Sequence, residues 1–270
     1  MKKFLLAIAM LFCSLCTEAA KVDTVWVKSP SMKKNVKVVV VTPDKPGRYP
    51  AVYMLHGHGG NARSWVGMFP DALAVADREG FIWVCPDGQN GWYWDSPLTE
   101  NRYETFCTSE LVQYVDAHYP TIADRNHRAV TGWSMGGHGA MYLSMRHTDV
   151  FGAAGSMSGG VDIRPFPNNW DMYKQLGREA DNRTIWDEHA AINQIDRLKK
   201  GDLALIVDCG YDDFFFEVNN NFHAKLLKYQ IDHDFYVRPG GHNAAYWRNA
   251  IRYHIVFFQE FFKQADRAKP

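Results

Sequence analysis

The chain has no excess of either charge. Thirty Lys and Arg residues balance thirty Asp and Glu residues over 270 positions, and no block of like charge stands out. That leaves nothing to draw in a nucleic acid or another polyanion. The apolar run at the N-terminus, residues 4–15, is too short to cross a bilayer, so no stable membrane insertion is expected. No linker, repeat or low-complexity stretch divides the sequence, which predicts one domain. Cysteine is scarce. Of five in the chain, the three that follow the N-terminal segment include no pair with metal-ligand spacing, and neither a metal nor a cofactor is expected. What is abundant is apolar surface: 46% hydrophobic against 22% charged residues is enough for one large buried core.

Lys2-Lys3 stand ahead of the apolar run, and Thr17-Glu18-Ala19 follow it with small residues at the offsets a signal peptidase reads. Residues 1–20 are therefore expected to be a signal peptide cut near Ala19 or Ala20. The mature protein, 21–270, would be periplasmic or extracellular. Ser14-Leu15 before Cys16 fits a lipidation signal poorly, so no lipid anchor is expected. Loss of the leader leaves Cys85, Cys107 and Cys209. Two of these end apolar runs, a place for buried, reduced thiols; a Cys85–Cys107 disulfide is allowed but not required.

Apolar patterning predicts strands over 24–28, 36–41, 51–55, 81–85, 129–132, 203–207 and 234–237. Helical periodicity falls between them, at 69–78, 104–117, 138–146, 217–229 and 244–262. Alternation of this kind predicts an α/β fold with a mostly parallel sheet covered on both faces, and an antiparallel edge made by the first two strands. Residues 160–200 interrupt the alternation with Pro, Asn and Trp and only short helical patterns. They are expected to form a small cap-like insertion that lends residues to a substrate pocket.

Chemistry enters at Gly132-Trp133-Ser134-Met135-Gly136. A buried strand precedes it and a helix follows, the context a nucleophile elbow requires. The turn leaves no room for side chains two residues either side of the serine, and glycine fills both positions. A similar run, 155–159, has Met157 where the serine would be and lacks that context. A serine hydroxyl needs a base, and the base needs an orienting carboxylate. His242 lies after the last strand and a glycine-rich turn, at the sheet edge where ligands bind in open α/β sheets. Asp212 and Asp213 lie after the preceding strand, and both stay open as the acid. The order Ser, Asp, His is that of an α/β-hydrolase. For an oxyanion, the backbone amides of Met135 and of His58, within His56-Gly57-His58-Gly59-Gly60, are the candidates. A phosphate loop is excluded there, because no Lys-Ser or Lys-Thr pair follows. Among the other histidines, His118, His127, His147, His189, His223, His233 and His254 read as surface or interface residues.

Taken with Pro86-Asp87-Gly88, Trp92 to Pro97, Glu110-Leu111, Tyr114-Val115-Asp116, Phe151-Gly152-Ala153 and Gly241-His242, these motifs resemble the esterase D-like family of esterases across about 36–262. That family takes in S-formylglutathione hydrolases, feruloyl and acetyl-xylan esterases, tributyrin esterases and mycolyltransferases. The resemblance implies an α/β-hydrolase fold and acyl-enzyme chemistry. The family's Gly-x-x-Asp pattern, counted from Gly210, implies Asp213 as the acid. Export argues against a cytosolic glutathione thioester. Trp92, Tyr93, Trp94 and Trp170 are candidate substrate contacts, because aromatic faces stack on sugars and aryl rings. The expected substrate is a carbohydrate-linked acyl or feruloyl ester or a short-chain acyl ester. An acyltransferase using the same triad, and a non-catalytic binding module, are the competing readings.

Overall fold

A computed structural model describes residues 20–268; the expected signal peptide lies, but for Ala20, outside them. Eight strands form one sheet: β1 (Lys21–Ser29), β2 (Lys34–Thr42), β3 (Ala51–Leu55), β4 (Ile82–Pro86), β5 (Arg128–Trp133), β6 (Ala153–Met157), β7 (Ala204–Gly210) and β8 (Asp234–Arg238). Their order is β1-β2-β4-β3-β5-β6-β7-β8. The first two pair antiparallel, β2 meets β4 antiparallel, and every later pairing is parallel. β3, β4, β5 and β6 are buried along their whole length, as strands covered on both faces must be. The larger helices used below are α1 (Ala72–Glu79), α2 (Leu111–His118), α3 (Met135–Arg146), α4 (Phe216–Lys228) and α5 (Ala244–Arg267).

One strand escaped the sequence reading. β6 carries Ala-Ala-Gly-Ser-Met, too small and too polar to read as a strand, and its end is the run first set aside as a false elbow. Small residues are what the position demands. A Cβ on Gly155 would stand 2.3 Å from His254 Nδ1 and 2.8 Å from Thr131 Oγ1. Helices press on this strand from both faces, and methyl groups would hold them off.

Two histidines read as surface or interface residues are buried inside the chain. His127 is 1% exposed and sits between Asp124 and Asp266. His254, on α5, is fully buried against Thr131 Oγ1 at 3.0 Å. Burial, reinforced by Arg238, pushes its imidazole down to about 3. The unfolded chain therefore takes up a proton below about pH 6.5 that the folded chain refuses, and stability falls as pH drops toward the folded value. Cys85, Cys107 and Cys209 are buried and unpaired, as thiols rather than a disulfide.

Denaturant unfolding from pH 6.5 to 5.5, above the range of most carboxylates, should show this slope. His254→Gln should reduce it by up to about 1.4 kcal/mol per pH unit, whatever it does to absolute stability. An unchanged slope would exclude a neutral buried His254.

Candidate functional site

The site begins with crowding. Between the end of β5 and the start of α3 the chain reverses so tightly that a Cβ on Gly132 would stand 2.4 Å from the Gly136 carbonyl carbon. One on Gly136 would stand 2.3 Å from Leu55 O. Both contacts are to backbone, so nothing can swing aside. Ser134, between them, has φ 56° and ψ −121°, a conformation side chains avoid and functional sites retain. Its amide donates to Met157 O at 3.0 Å, so β6 holds the strained residue from beneath.

The loops after β7 and β8 bring the partners. His242 Nε2 lies 2.9 Å from Ser134 Oγ, and His242 Nδ1 lies 2.9 and 3.0 Å from the two Asp213 carboxylate oxygens. The Asp213 carboxylate is fully buried and also accepts from the Phe215 amide at 2.8 Å. The Asp212 side chain is exposed, and its amide donates to Gly240 O at 3.0 Å. Of the two acids, the structure brings Asp213 to the imidazole. Gly210 and Gly240 let the two loops touch: a Cβ on Gly210 would lie 2.1 Å from Gly240 O.

Three aromatic rings surround the imidazole. Phe214 lies 4.2 Å from it between centroids, Trp247 5.0 Å at 89°, and Phe215 5.4 Å at 77°. Edge and tilted contacts of this kind favour one ring orientation over its rotation. None of the three was singled out in the sequence: Phe214 and Phe215 lie just ahead of the predicted helix 217–229, and Trp247 falls within the pattern 244–262.

Met135 opens α3, where backbone amides have no intrahelical acceptor. The loop bearing His58 passes close by: a Cβ on Gly57 would stand 3.2 Å from Ser134 Cβ. The His58 amide has no acceptor among the described residues. The loop is braced beneath. Trp65 Nε1 donates to Leu55 O at 3.1 Å, Tyr93 Oη donates to His56 O at 3.0 Å, and the Gly88 amide donates to His56 Nε2 at 2.9 Å.

Three of the four candidate substrate contacts are corrected by this arrangement. Trp92, Tyr93 and Trp94 are 1%, 0% and 0% exposed, within the core, and cannot meet a substrate. Trp92 stacks on Trp94 at 5.5 Å. Trp94 Nε1 donates to His138 Nε2 at 2.8 Å, and His138 Nδ1 in turn reaches Gly160 O at 2.9 Å. Burial pushes His138 down to about 3, so it stays neutral and serves as a fixed strut. Trp170 is different. It is half-buried in the 160–200 segment and stacks on Phe214 at 6.0 Å. Phe214 is 52% exposed. Together they make an aromatic ledge running outward from His242.

No group of three or more His, Cys, Asp or Glu among the described residues could hold a metal ion, and no described helix is long and apolar enough to cross a membrane.

A family model described as "Putative esterase" matches residues 29–256. The chain is 22% identical to an acetyl esterase of Caldicellulosiruptor saccharolyticus over 83% of its own length and 92% of the relative's. It is 32% identical to a diacylglycerol acyltransferase/mycolyltransferase of Mycolicibacterium smegmatis, over 70% of this chain and 64% of that one. It spans about half the length of other curated relatives it matches. A solved structure of a ferulic acid esterase superposes with a TM-score of 0.78 at 29% identity, covering 90% of this chain and 98% of that one.

Replacing the two neighbouring acids separates their roles. Asp213→Asn should lower kcat for a simple ester by about 10⁴, because an amide favours the wrong imidazole tautomer. Asp212→Asn should leave kcat within about threefold of wild type. Equal losses in steady-state assays would contradict the placement.

Proposed function

The chain belongs to the Putative esterase family and is an enzyme of carboxylic ester chemistry, and on that premise we propose that it is an exported serine esterase working through an acyl-enzyme on Ser134. The observation that carries this reading is the continuous line from Ser134 Oγ through His242 to the buried Asp213 carboxylate, each link within 3.0 Å. His242 Nε2 takes the hydroxyl proton as Oγ attacks the ester carbonyl. Asp213 holds Nδ1–H and balances the imidazolium charge. The amides of Met135 and His58 bind the oxyanion; such donors contribute several kcal/mol in other serine hydrolases. The alcohol leaves with the proton from His242, and water, activated by the same base, releases the acid.

The substrate reading rests on the ledge. Trp170 and Phe214 present a flat apolar face beside the base, which suits a feruloyl group or the sugar of a carbohydrate-linked ester. A short acyl ester would use the triad without touching the ledge. The same triad would also serve an acyltransferase. Similarity to a mycolyltransferase supports that second reading, and only the acceptor of the acyl group separates the two. The export part of this reading rests on the sequence of the N-terminal segment and would put the place of action outside the cytoplasm.

Ser134→Ala should cost about 10⁵–10⁶ in kcat, since triad members act as one unit. Ester turnover close to the wild-type rate in that variant would end the assignment. Trp170→Ala and Phe214→Ala should each raise KM for methyl ferulate or a feruloylated sugar by about tenfold, equivalent to about 1.4 kcal/mol, and leave p-nitrophenyl acetate nearly unchanged. Equal effects on both esters would remove the ledge from substrate binding. Acyl-glycoside formation with added sugar, outrunning hydrolysis, would favour the transferase.

A further inference from the structure

The first described residue is not loose. Ala20 is 5% exposed and packs into the hydrophobic cluster on one face of the sheet. Its nitrogen lies 2.6 Å from Asp77 Oδ2. The other Asp77 oxygen accepts from the Asp44 amide at 2.8 Å, and Asp44 in turn faces Lys21 Nζ at 3.7 Å. Asp77 stands in the last turn of α1, where the helix presents unpaired carbonyls and a partial negative charge. A carboxylate there is in the wrong field, and a cation beside it would correct that.

Sequence leaves two cuts open, after Ala19 or after Ala20. We infer that the bond cut is Ala19–Ala20, and that the α-ammonium it creates is the cation Asp77 is placed to receive. Water adds across the peptide bond in a signal-peptidase reaction: Ala19 keeps the carboxylate, and Ala20 gains an amine that is protonated at neutral pH. Before the cut, a neutral amide donates to Asp77. Afterwards the same atom carries a charge, and charge-assisted hydrogen bonds are roughly twice as strong as neutral ones. A cut one residue later would discard the Ala20 methyl from the core and strip Asp77 Oδ2 of its donor. It would also put Glu18 where the peptidase reads a small residue, whereas the cut after Ala19 puts Thr17 there. The peptidase register and the buried nitrogen select the same bond. Maturation would thereby pin the start of β1, an edge strand whose first pairing is Lys21 with Thr42.

The inference rests on the export reading and not on the triad, so the test reads mass and melting while ester hydrolysis serves as an independent control. The full chain, with its own leader, is expressed in a bacterial host and the exported product is weighed intact. A mass beginning at Ala20 is expected; one beginning at Lys21, or an uncut chain, would overturn the assignment. Asp77→Asn should then lower Tm of the mature protein by about 2–4 °C and leave ester hydrolysis unchanged. In a mature chain with one Gly added before Ala20, the charge moves about 3.8 Å outward, and Asp77→Asn should cost clearly less. The same loss in both backgrounds would mean that Asp77 acts through the Asp44 amide alone, and the ion pair would be refuted.

Discussion

Everything at this site depends on a lack of space. β5, α3 and the end of β3 approach so closely at Gly132 and Gly136 that backbone meets backbone. Ser134 is left with one conformation, at positive φ. That conformation lifts its side chain off the sheet at the start of a helix, beside amides with no partner. The strain is held because surrounding structure over-determines it. β6 bonds the serine amide from below, and Ser156 and Gly159 fill the remaining gap against Gly137. The proposed nucleophile is thus a property of the backbone, and the groups proposed to serve it are carried on loops arranged around a fixed point.

The buried aromatics belong to the same scheme. Trp92 and Tyr93 both have positive φ, a cost of order 1–3 kcal/mol each. Full burial and the Tyr93 bond to His56 O keep them there. Bulk placed under the His56–Gly60 loop fixes the height at which its amides face Ser134. Small residues on one side and large ones on the other would serve one requirement, that the proposed oxyanion donors be rigid before a substrate arrives.

How far the sequence could be read follows from how local each constraint is. The elbow was legible because its demands fall on adjacent residues: glycine at two fixed offsets, apolar runs on both sides. His242 was legible because a glycine turn after a last strand is also local. Asp213 against Asp212 was not settled by spacing alone, since the choice lies in a turn fixed by a bond from the Asp212 amide to Gly240 O, on a different loop of the chain. β6 was missed because packing from both faces selects small residues over β-branched ones. Trp92, Tyr93 and Trp94 misled because aromatic content says nothing of which way a ring faces. The burial of His254 likewise depends on α5 crossing β5 and β6, which no local pattern encodes.

The loop that carries His242, the proposed base, shows why hydrolysis and acyl transfer are hard to separate from the proposed triad itself. Asp208, fully buried at the end of β7, binds Arg238 just before that loop and Tyr246 just after it. Asn243 caps α5 by accepting from the Tyr246 amide at 3.1 Å. Pinned on both flanks and ringed by Phe214, Phe215 and Trp247, His242 has little freedom to favour one attacking hydroxyl over another. It would deprotonate water or a sugar hydroxyl from the same position. On this reading, discrimination between them comes from side chains near the base that solvent reaches: exposed Phe214, half-buried Trp170 stacked on it, and half-buried Trp247 against the ring. A ledge that only holds the acyl group leaves the opposite side to water and gives a hydrolase. A ledge that holds an acceptor sugar places its hydroxyl where water would stand, at an effective concentration no free water molecule matches in orientation. On this reading the crowded backbone sets the chemistry, and the ledge of exposed Phe214 and half-buried Trp170 sets its outcome.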